Sequence, residues 1–320
     1  MTQRTISTAV VTGGGGFIGS NVVTMLRNDG VAVRVLDNFS SGFRENVDDL
    51  EGVDVVIGDV RDADVLRTLM EGVDVVFHLA ASVGNTRSIE HPIEDSEVNG
   101  IGTLRVLEAM RATGVPKIVY SSSAAIFGEL KELPIRADHP VEPASPYGVS
   151  KLAGEKMCLA YAQLFELEAV CLRYFNVYGP NQRYDAYGNV IPIFTHRLLS
   201  GVPLVVFSDG EQTRDFVNVA DVARANLRAG RASGVTGAFN VASGTAVTVN
   251  RLVELLGEAA GIAPEVERAP PRPGDVRDSL ADISPARESF GFAPEVSLEE
   301  GLVEYVNWMR AHSLASSTAR

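Results

Sequence analysis

Hydrophobic and polar positions alternate between two textures in the first half of the chain. Short apolar, β-branched runs occupy Thr8–Thr12, Ala32–Leu36, Val53–Ile57, Val73–Leu79, Lys117–Ser121 and Ala169–Tyr174. Continuous apolar runs of this length predict strands buried on both faces, as in a parallel sheet. Between them, Phe17–Arg27, Ala63–Met70 and Gly102–Ala112 carry helical spacing. A longer helix is predicted from Tyr147 to Phe165, with Pro146 just ahead of it and Leu152, Cys158, Leu159 and Ala162 on one face. Strands alternating with helices predict βαβ units, hence an α/β fold with a doubly wound parallel sheet.

After Gly179-Pro180 the pattern changes. Pro and Gly crowd Asp185–Pro192, Pro203–Gly210 and Ala269–Gly274, while Asp221–Arg228, Val249–Ala260 and Glu299–Arg310 read as helices. The expected division is a nucleotide-binding domain over 1–179 and a smaller mixed α/β substrate lobe over 180–320, with some segments returning to the first domain. No internal repeat or low-complexity tract interrupts this, and the tail after Ala311 is expected to fray.

Composition narrows the field. The chain has 320 residues, 45% of them hydrophobic, which suffices for a large core. Its net charge of -13 argues against nucleic acid and anionic membrane as partners. An anionic ligand would need a few placed arginines to override that field. Two cysteines, Cys158 and Cys171, make no disulfide framework and read as small buried hydrophobes. The five histidines show no metal-ligand spacing, so no metal is expected. The opening MTQRTISTAV lacks a secretory pattern and no apolar run is long enough to span a bilayer. These features predict a reduced, cytoplasmic enzyme.

Directly after the first strand, Gly13, Gly16 and Gly19 give GxxGxxG spacing at the start of a helix. Glycine permits a sharp turn and a close backbone approach to a pyrophosphate, and the helix N-terminus favours the phosphate charge. Asp37 ends the second strand, about twenty residues on, where a carboxylate accepts hydrogen bonds from the adenosine ribose and repels a 2′-phosphate. NAD is therefore expected rather than NADP. Asp59, ending the third strand, either faces the adenine or caps the next helix.

Tyr147 and Lys151 form a YxxxK pair, one turn apart on one helix face. An ammonium beside a phenol stabilises the phenolate and lowers its pKa toward neutrality. Ser121-Ser122-Ser123, at the end of the fifth strand, puts a hydroxyl within reach of a substrate oxygen beside Tyr147. One of the three suffices; the others are turn formers or solvent contacts.

These segments together resemble the nucleotide-sugar epimerase/dehydratase branch of the extended short-chain dehydrogenases. The resemblance rests on TGGGGFIGS, LDNFSSG, GDVRD, HLAAS, YSSSAAIFG, SPYGVSK, RYFNVYGP, TRDFVNVADVA and PRPGDVRDSLAD, in order along nearly the whole chain. It implies a Rossmann domain binding NAD, a UDP-sugar substrate and a homodimer formed by the helices at Gly102–Ala112 and Tyr147–Phe165. It implies Ser123, Tyr147 and Lys151 as the catalytic set. Positions implied to line the cofactor are Phe17, Ile18, Asn38, Ser41, Gly42, Val60, Leu79, Ala80, Ala81, Asn99, Ser121 and Phe175. Those implied to hold the UDP moiety are Asn176, Asn189, Val190, Phe207, Arg214, Arg272 and Asp275. Guanidinium suits a diphosphate, although Arg214 or Arg272 alone reads equally as a surface ion-pair residue. Val83 departs from galactose-pathway epimerases, which can carry a lysine there.

Within this branch the shared first step is oxidation at the sugar C4. Dehydratases resemble one another in carrying Asp-Glu after the catalytic hydroxyl, and decarboxylases a Glu; this chain has Ala124-Ala125. Without a carboxylate the 4-keto sugar can rotate and take the hydride back on its other face, which makes a 4-epimerase the expected activity. A dehydratase, decarboxylase or 4-ketoreductase, and a catalytically silent NAD sensor, are the competing readings. Ser279, at a position that gates the sugar pocket in related epimerases, permits an N-acetyl group. Arg183 matches a position facing the C6 carboxylate in glucuronate 4-epimerases, or is a loop arginine facing water. Asn176 matches glucose epimerases. UDP-glucose and UDP-glucuronate both remain as substrates, with UDP-N-acetylglucosamine the alternative.

Overall fold

The computed structural model describes residues 2–184, 188–271 and 276–318, with side chains to 312. The first half runs β1 (Thr8–Thr12), α1 (Phe17–Asn28), β2 (Ala32–Asp37), β3 (Val53–Ile57), α2 (Ala63–Leu69), β4 (Val75–His78), α3 (Asn85–Glu90), α4 (Pro92–Ser96), α5 (Thr103–Thr113), β5 (Lys117–Ser123), α6 (Pro146–Leu164) and β6 (Glu168–Tyr174). The remainder runs β7 (Asn176–Tyr178), α7 (Val190–Leu199), β8 (Leu204–Phe207), β9 (Thr213–Asn218), α8 (Val219–Arg231), β10 (Gly237–Val241), β11 (Ala246–Thr248), α9 (Val249–Ala260), β12 (Val266–Ala269), α10 (Ser284–Phe290) and α11 (Leu298–Thr318).

The main sheet has seven strands in the order β10-β6-β5-β4-β1-β2-β3, every neighbouring pair parallel. This is the doubly wound Rossmann arrangement expected from the alternating pattern. Its central strands are buried on both faces, so β1 is apolar throughout its interior and Ala9, Val10 and Val11 are all inaccessible to solvent. One face packs α1 and α8 around Val11, Val23, Leu26 and Val222; the other packs α2, α5 and α6 around Val10, Leu66, Met110 and Cys158. Each fully buried Leu or Val contributes about 1.5–3 kcal/mol. Cys158 and Cys171 are free thiols in that second layer, as their apolar surroundings suggest.

Two segments beyond Gly179 return to the large domain. Strand β10 adds to its edge beside β6, and α8 packs on α1. The rest forms a smaller layer with the sheets β11-β9-β7 and β12-β8, where α7, α9 and α11 bury Phe194, Leu252, Tyr305 and Val306. No helix among the described residues is long and apolar enough to cross a membrane.

Because the large sheet is parallel, Thr12, Asp37, His78, Ser123 and Tyr174 all end their strands at one edge. Ligands of such sheets bind outside this carboxyl edge.

Candidate active site

The β1–α1 turn is a cradle shaped by missing side chains. Gly13 has φ +73°, and a Cβ there would lie 2.6 Å from the backbone nitrogen of Ala80. A Cβ on Gly19 would lie 2.0 Å from the Gly13 carbonyl, so the turn and the first helical turn close on each other. Gly16 precedes α1 and no side chain caps it, which leaves the first-turn N–H groups of Phe17 and Ile18 to an incoming anion. Asp37 accepts from the Gly15 N–H at 2.8 Å and the Phe39 N–H at 2.7 Å. Its carboxylate thus fixes the loop and keeps lone pairs for ribose hydroxyls. Ser41 and Gly42 lie on the following loop, tied down where the Phe43 N–H donates to the Gly15 carbonyl at 2.9 Å. These features fit a dinucleotide.

Asp59 resolves differently from the capping alternative. Asp62 is the N-cap of α2, accepting from the N–H groups of Asp64 and Val65. Asp59 instead takes Arg61 through Nε at 2.8 Å and Nη2 at 2.8 Å, and the Asn38 amide at 3.1 Å. The Arg61 hydrogen bonds hold its carboxyl down at about 2. Val60 is buried beside it. Leu79, Ala80 and Ala81 follow β4 on the other side of the glycine turn. Val83 is exposed.

Helix α6 carries the YxxxK pair. Ser145 caps it, its hydroxyl accepting from the Gly148 N–H at 3.1 Å, and Pro146 sits inside the first turn, where its missing N–H costs nothing. Tyr147, Lys151 and Glu155 then share one stripe facing β5 and β6. The structure separates the three serines. Ser122 donates to Glu155 Oε2 at 2.7 Å, while Ser121 lies near the Tyr174 phenol and Ser123 near the Tyr147 phenol, each pulling its neighbour's pKa down. Ser123 also accepts from the Ala125 N–H at 3.2 Å, which starts a short 3₁₀ turn over Ala124–Ile126.

The ionisation of the pair departs from the expectation. Burial pushes Tyr147 up to about 12, against the downward pull of Ser123. Burial also brings Lys151 down to about 8, and its ammonium lies 4.5 Å from the Tyr120 ring centroid. Desolvation is therefore the largest influence on the phenol in the protein by itself. Nearby, His78 bridges Thr12 Oγ1 at 2.7 Å and Thr103 Oγ1 at 3.0 Å. Thr103 donates onward to the Asn99 carbonyl, so it accepts from the ring and the imidazole proton belongs on Nε2.

Asn99 sits in a π-helical turn over Glu97–Gly102, a local insertion common at functional sites. Its amide holds Ser82 by both backbone groups, at 2.9 and 3.0 Å, and so fixes the loop after β4. Phe175 is buried against Phe127 at the end of β6.

Among the substrate positions, Asn176 on β7 donates to the Asp215 carbonyl at 3.2 Å, beside Arg214 on β9. Ser279 is nearly buried, its N–H donating to Thr213 Oγ1 at 3.3 Å. These three cluster around β9. Asn189 and Val190 start α7, and Phe207 ends β8. Arg272 and Asp275 lie outside the described residues. Arg183 is not a water-facing arginine: it stacks 3.6 Å from the Phe43 ring centroid and ion-pairs with Glu45, on the loop that closes over Gly15.

Three buried acids beside these residues carry no signal as single positions in the sequence. Glu155 pairs with Arg173 at 2.7 and 3.0 Å. Asp95 lies behind Asn99 and Ser150. Asp215 accepts from Ser243, Gly244 and Ala281, bracing the strand that carries Arg214. Only Asp215 left a trace, as the acid following Arg214 in TRDFVN.

A family model described as the NAD dependent epimerase/dehydratase family matches residues 9–242. A UDP-glucose 4-epimerase of Mycolicibacterium smegmatis is 41% identical over 309 residues, covering 95% of this chain and 99% of the relative. The crystal structure of a UDP-glucose 4-epimerase from Thermotoga maritima with UDP-glucose has a TM-score of 0.90 at 39% identity, covering 96% and 99% of the two chains. A UDP-N-acetylglucosamine 4-epimerase from Methanobrevibacter ruminantium, in complex with UDP-N-acetylmuramic acid, has a TM-score of 0.92 at 36% identity, covering 97% and 100%.

Proposed function

Because the chain belongs to the NAD-dependent epimerase/dehydratase family, we propose that it is a UDP-sugar 4-epimerase interconverting UDP-glucose and UDP-galactose. The observation that carries this reading is Ser123 close enough to Tyr147 to pull its phenol down, Lys151 one turn further along α6, and Ala124 and Ala125 where an elimination would need a carboxylate.

Bound at the glycine turn, NAD⁺ supplies a hydride acceptor that later returns the hydride, and a positive charge on its ring. Tyr147 takes the proton from the C4 hydroxyl and gives it back after the sugar has turned. Ser123 donates a hydrogen bond to the reacting oxygen and keeps it facing Tyr147. Lys151, protonated at neutral pH, supplies a positive charge under the phenolate. Around the sugar no carboxylate follows Ser123 to remove a further proton, so the 4-keto sugar is reduced rather than dehydrated.

Arg183 decides between the neutral and the acidic sugar in this account. Its guanidinium is engaged by Glu45 and Phe43, so it is already neutralised and a C6 carboxylate would have to displace Glu45. That supports glucose over glucuronate. The small side chain of Ser279 favours a second reading, UDP-N-acetylglucosamine, which needs room at C2.

A homodimer belongs to the same reading. Ile89, Ile93, Ile101 and Val149 are exposed apolar residues on elements packed around α6, and a second copy of the chain would cover them. Light scattering at micromolar concentration should give twice the monomer mass; a monomer mass removes this part.

Separate incubations with UDP-glucose, UDP-glucuronate and UDP-N-acetylglucosamine, followed by proton NMR, test the substrate. UDP-galactose as the fastest-formed product supports the proposal. Preference for glucuronate would show that Arg183 leaves Glu45, and no C4 epimer from any of the three would refute the epimerase assignment.

A further inference from the structure

We propose that Arg183 is a positioning residue for the cofactor: its contact with Phe43 and Glu45 straps the loop after β2 onto the glycine turn and slows release of the dinucleotide. The inference deepens the epimerase reading and takes its purpose from it. An enzyme that returns a hydride to the same sugar must keep the reduced cofactor until it has done so.

The loop from Asn38 to Val47 leaves Asp37 and folds back over the cradle. Its inner side is pinned to one oxygen: the Phe43 N–H and the Asn46 side-chain amide both donate to the Gly15 carbonyl at 2.9 Å. A Cβ on Gly42 would lie 2.8 Å from the Gly15 carbonyl carbon, so the two backbones touch. This closed form is strained, because Phe39 has φ +54°, a left-handed conformation that bulky side chains adopt only at a cost. A dinucleotide with its pyrophosphate at the first turn of α1 and its ribose at Asp37 lies along this loop, which must lift for the dinucleotide to leave.

A second segment holds the loop from outside. Pro180–Arg183 leaves β7 and is fastened on two sides. On α1, Asn21 donates to the Pro180 carbonyl at 3.1 Å, and Ser20 Oγ accepts from Asn181 at 3.0 Å. From α11, Tyr305 donates to the Gln182 carbonyl at 2.6 Å. From this anchored base Arg183 reaches the loop, its guanidinium 3.6 Å from the Phe43 ring centroid and ion-paired with Glu45. A planar guanidinium can stack and pair at once, which an ammonium does poorly. Phe43 remains 39% exposed beneath it, so the ring is a platform for Arg183 rather than part of the core. Helix α7 of the smaller lobe follows the same segment, so the strap ties that lobe to the cofactor loop.

The test follows release of NAD⁺ from the full chain. The protein is loaded with isotope-labelled NAD⁺, chased with excess unlabelled NAD⁺, and filtered at intervals. Arg183→Ala should speed release about tenfold, the order expected from losing a cation–ring stack and a partly exposed ion pair together. Glu45→Ala should speed it by less, since Arg183 keeps the ring. The double variant should release no faster than Arg183→Ala, because both changes break one contact. An Arg183 that gripped the dinucleotide's phosphates directly would instead be freed by Glu45→Ala, and release would slow. Affinity for UDP, measured by calorimetry, should stay within about twofold in each variant, whereas a general loosening of the fold would weaken both ligands. If Arg183→Ala does not fold, Glu45→Gln carries the test. The exchange needs no turnover, so a chain that holds NAD⁺ and forms no epimer sinks the epimerase reading and leaves this result standing. Release unchanged in Arg183→Ala, slowed in Glu45→Ala, or accompanied by an equal loss of UDP affinity would overturn the proposal.

Discussion

Replacing Glu155 by Gln removes one charge from α6, the helix that carries Tyr147 and Lys151, and the consequence can be worked through. Glu155 is fully buried and receives three hydrogen bonds: Arg173 Nε at 3.0 Å, Arg173 Nη2 at 2.7 Å and Ser122 Oγ at 2.7 Å. Arg173 is 4% exposed and would keep the Ala137 carbonyl, at 2.7 Å, and at most the one amide oxygen of glutamine as acceptors. The NH₂ end of the amide then faces the second guanidinium nitrogen, donor against donor. Breaking a buried pair from one side costs about 3–5 kcal/mol, because the other charge stays buried and unpaired. At roughly 2–3 °C per kcal/mol for a large chain, the melting midpoint should fall by about 6–15 °C. The assay is thermal and denaturant unfolding at a fixed, saturating NAD concentration, since bound ligand shifts the midpoint by itself. A double variant, Glu155→Met with Arg173→Met, removes both charges and should recover most of the loss. A loss below about 1 kcal/mol in Glu155→Gln, or a double variant as unstable as the single, would refute the reasoning.

Tyr147→Phe should lower epimerisation by about 10²–10⁴-fold while NAD still co-purifies, because only the proton acceptor is lost; steady-state rates and cofactor content check both halves. His78 is held at about 3 against an ordinary 6.5, so the unfolded chain binds the proton first as pH falls. Its contribution is present above pH 6.5 and is lost from there toward 3 at up to about 1.4 kcal/mol per pH unit, a slope that His78→Gln should flatten in denaturant midpoints. Arg183→Ala should change the ratio of kcat/KM for UDP-glucose over UDP-glucuronate by less than about threefold; a much larger change would restore the carboxylate contact, which discriminates strongly when it is made.

Elements with strong, uninterrupted patterning were legible at residue level. The runs Thr8–Thr12 and Val53–Ile57 and the helix Val249–Ala260 have the bounds their periodicity indicates. Helices α3 and α4 have six and five residues, too few for a period to register. Helix α7 hid behind Pro192, which reads as a breaker but lies in the first turn, where no hydrogen bond is lost. Strand β10, GAFNV, is ordinary in composition, and only its parallel pairing with β6 makes it the seventh strand.

The site divides the same way. The placement of Ser123 at a strand end and of Tyr147 and Lys151 one turn apart on a helix could be read from spacing. Asp95 and Glu155 could not, because a lone acid reads as surface until the fold shows its neighbours. Asp59 and Asp62 are three residues apart, and only the backbone geometry decides which caps α2. The height of the Tyr147 phenol is likewise a property of burial, which a motif does not contain.

The most direct test of the C4 mechanism uses UDP-glucose carrying deuterium at C4, incubated with the NAD-loaded protein and followed by proton and deuterium NMR. Return of the same hydride to the opposite face predicts UDP-galactose with the deuterium kept at C4 and no net formation of NADH. Deuterium transferred to C6 of a 4-keto-6-deoxy sugar, or lost from C4 altogether, would contradict it.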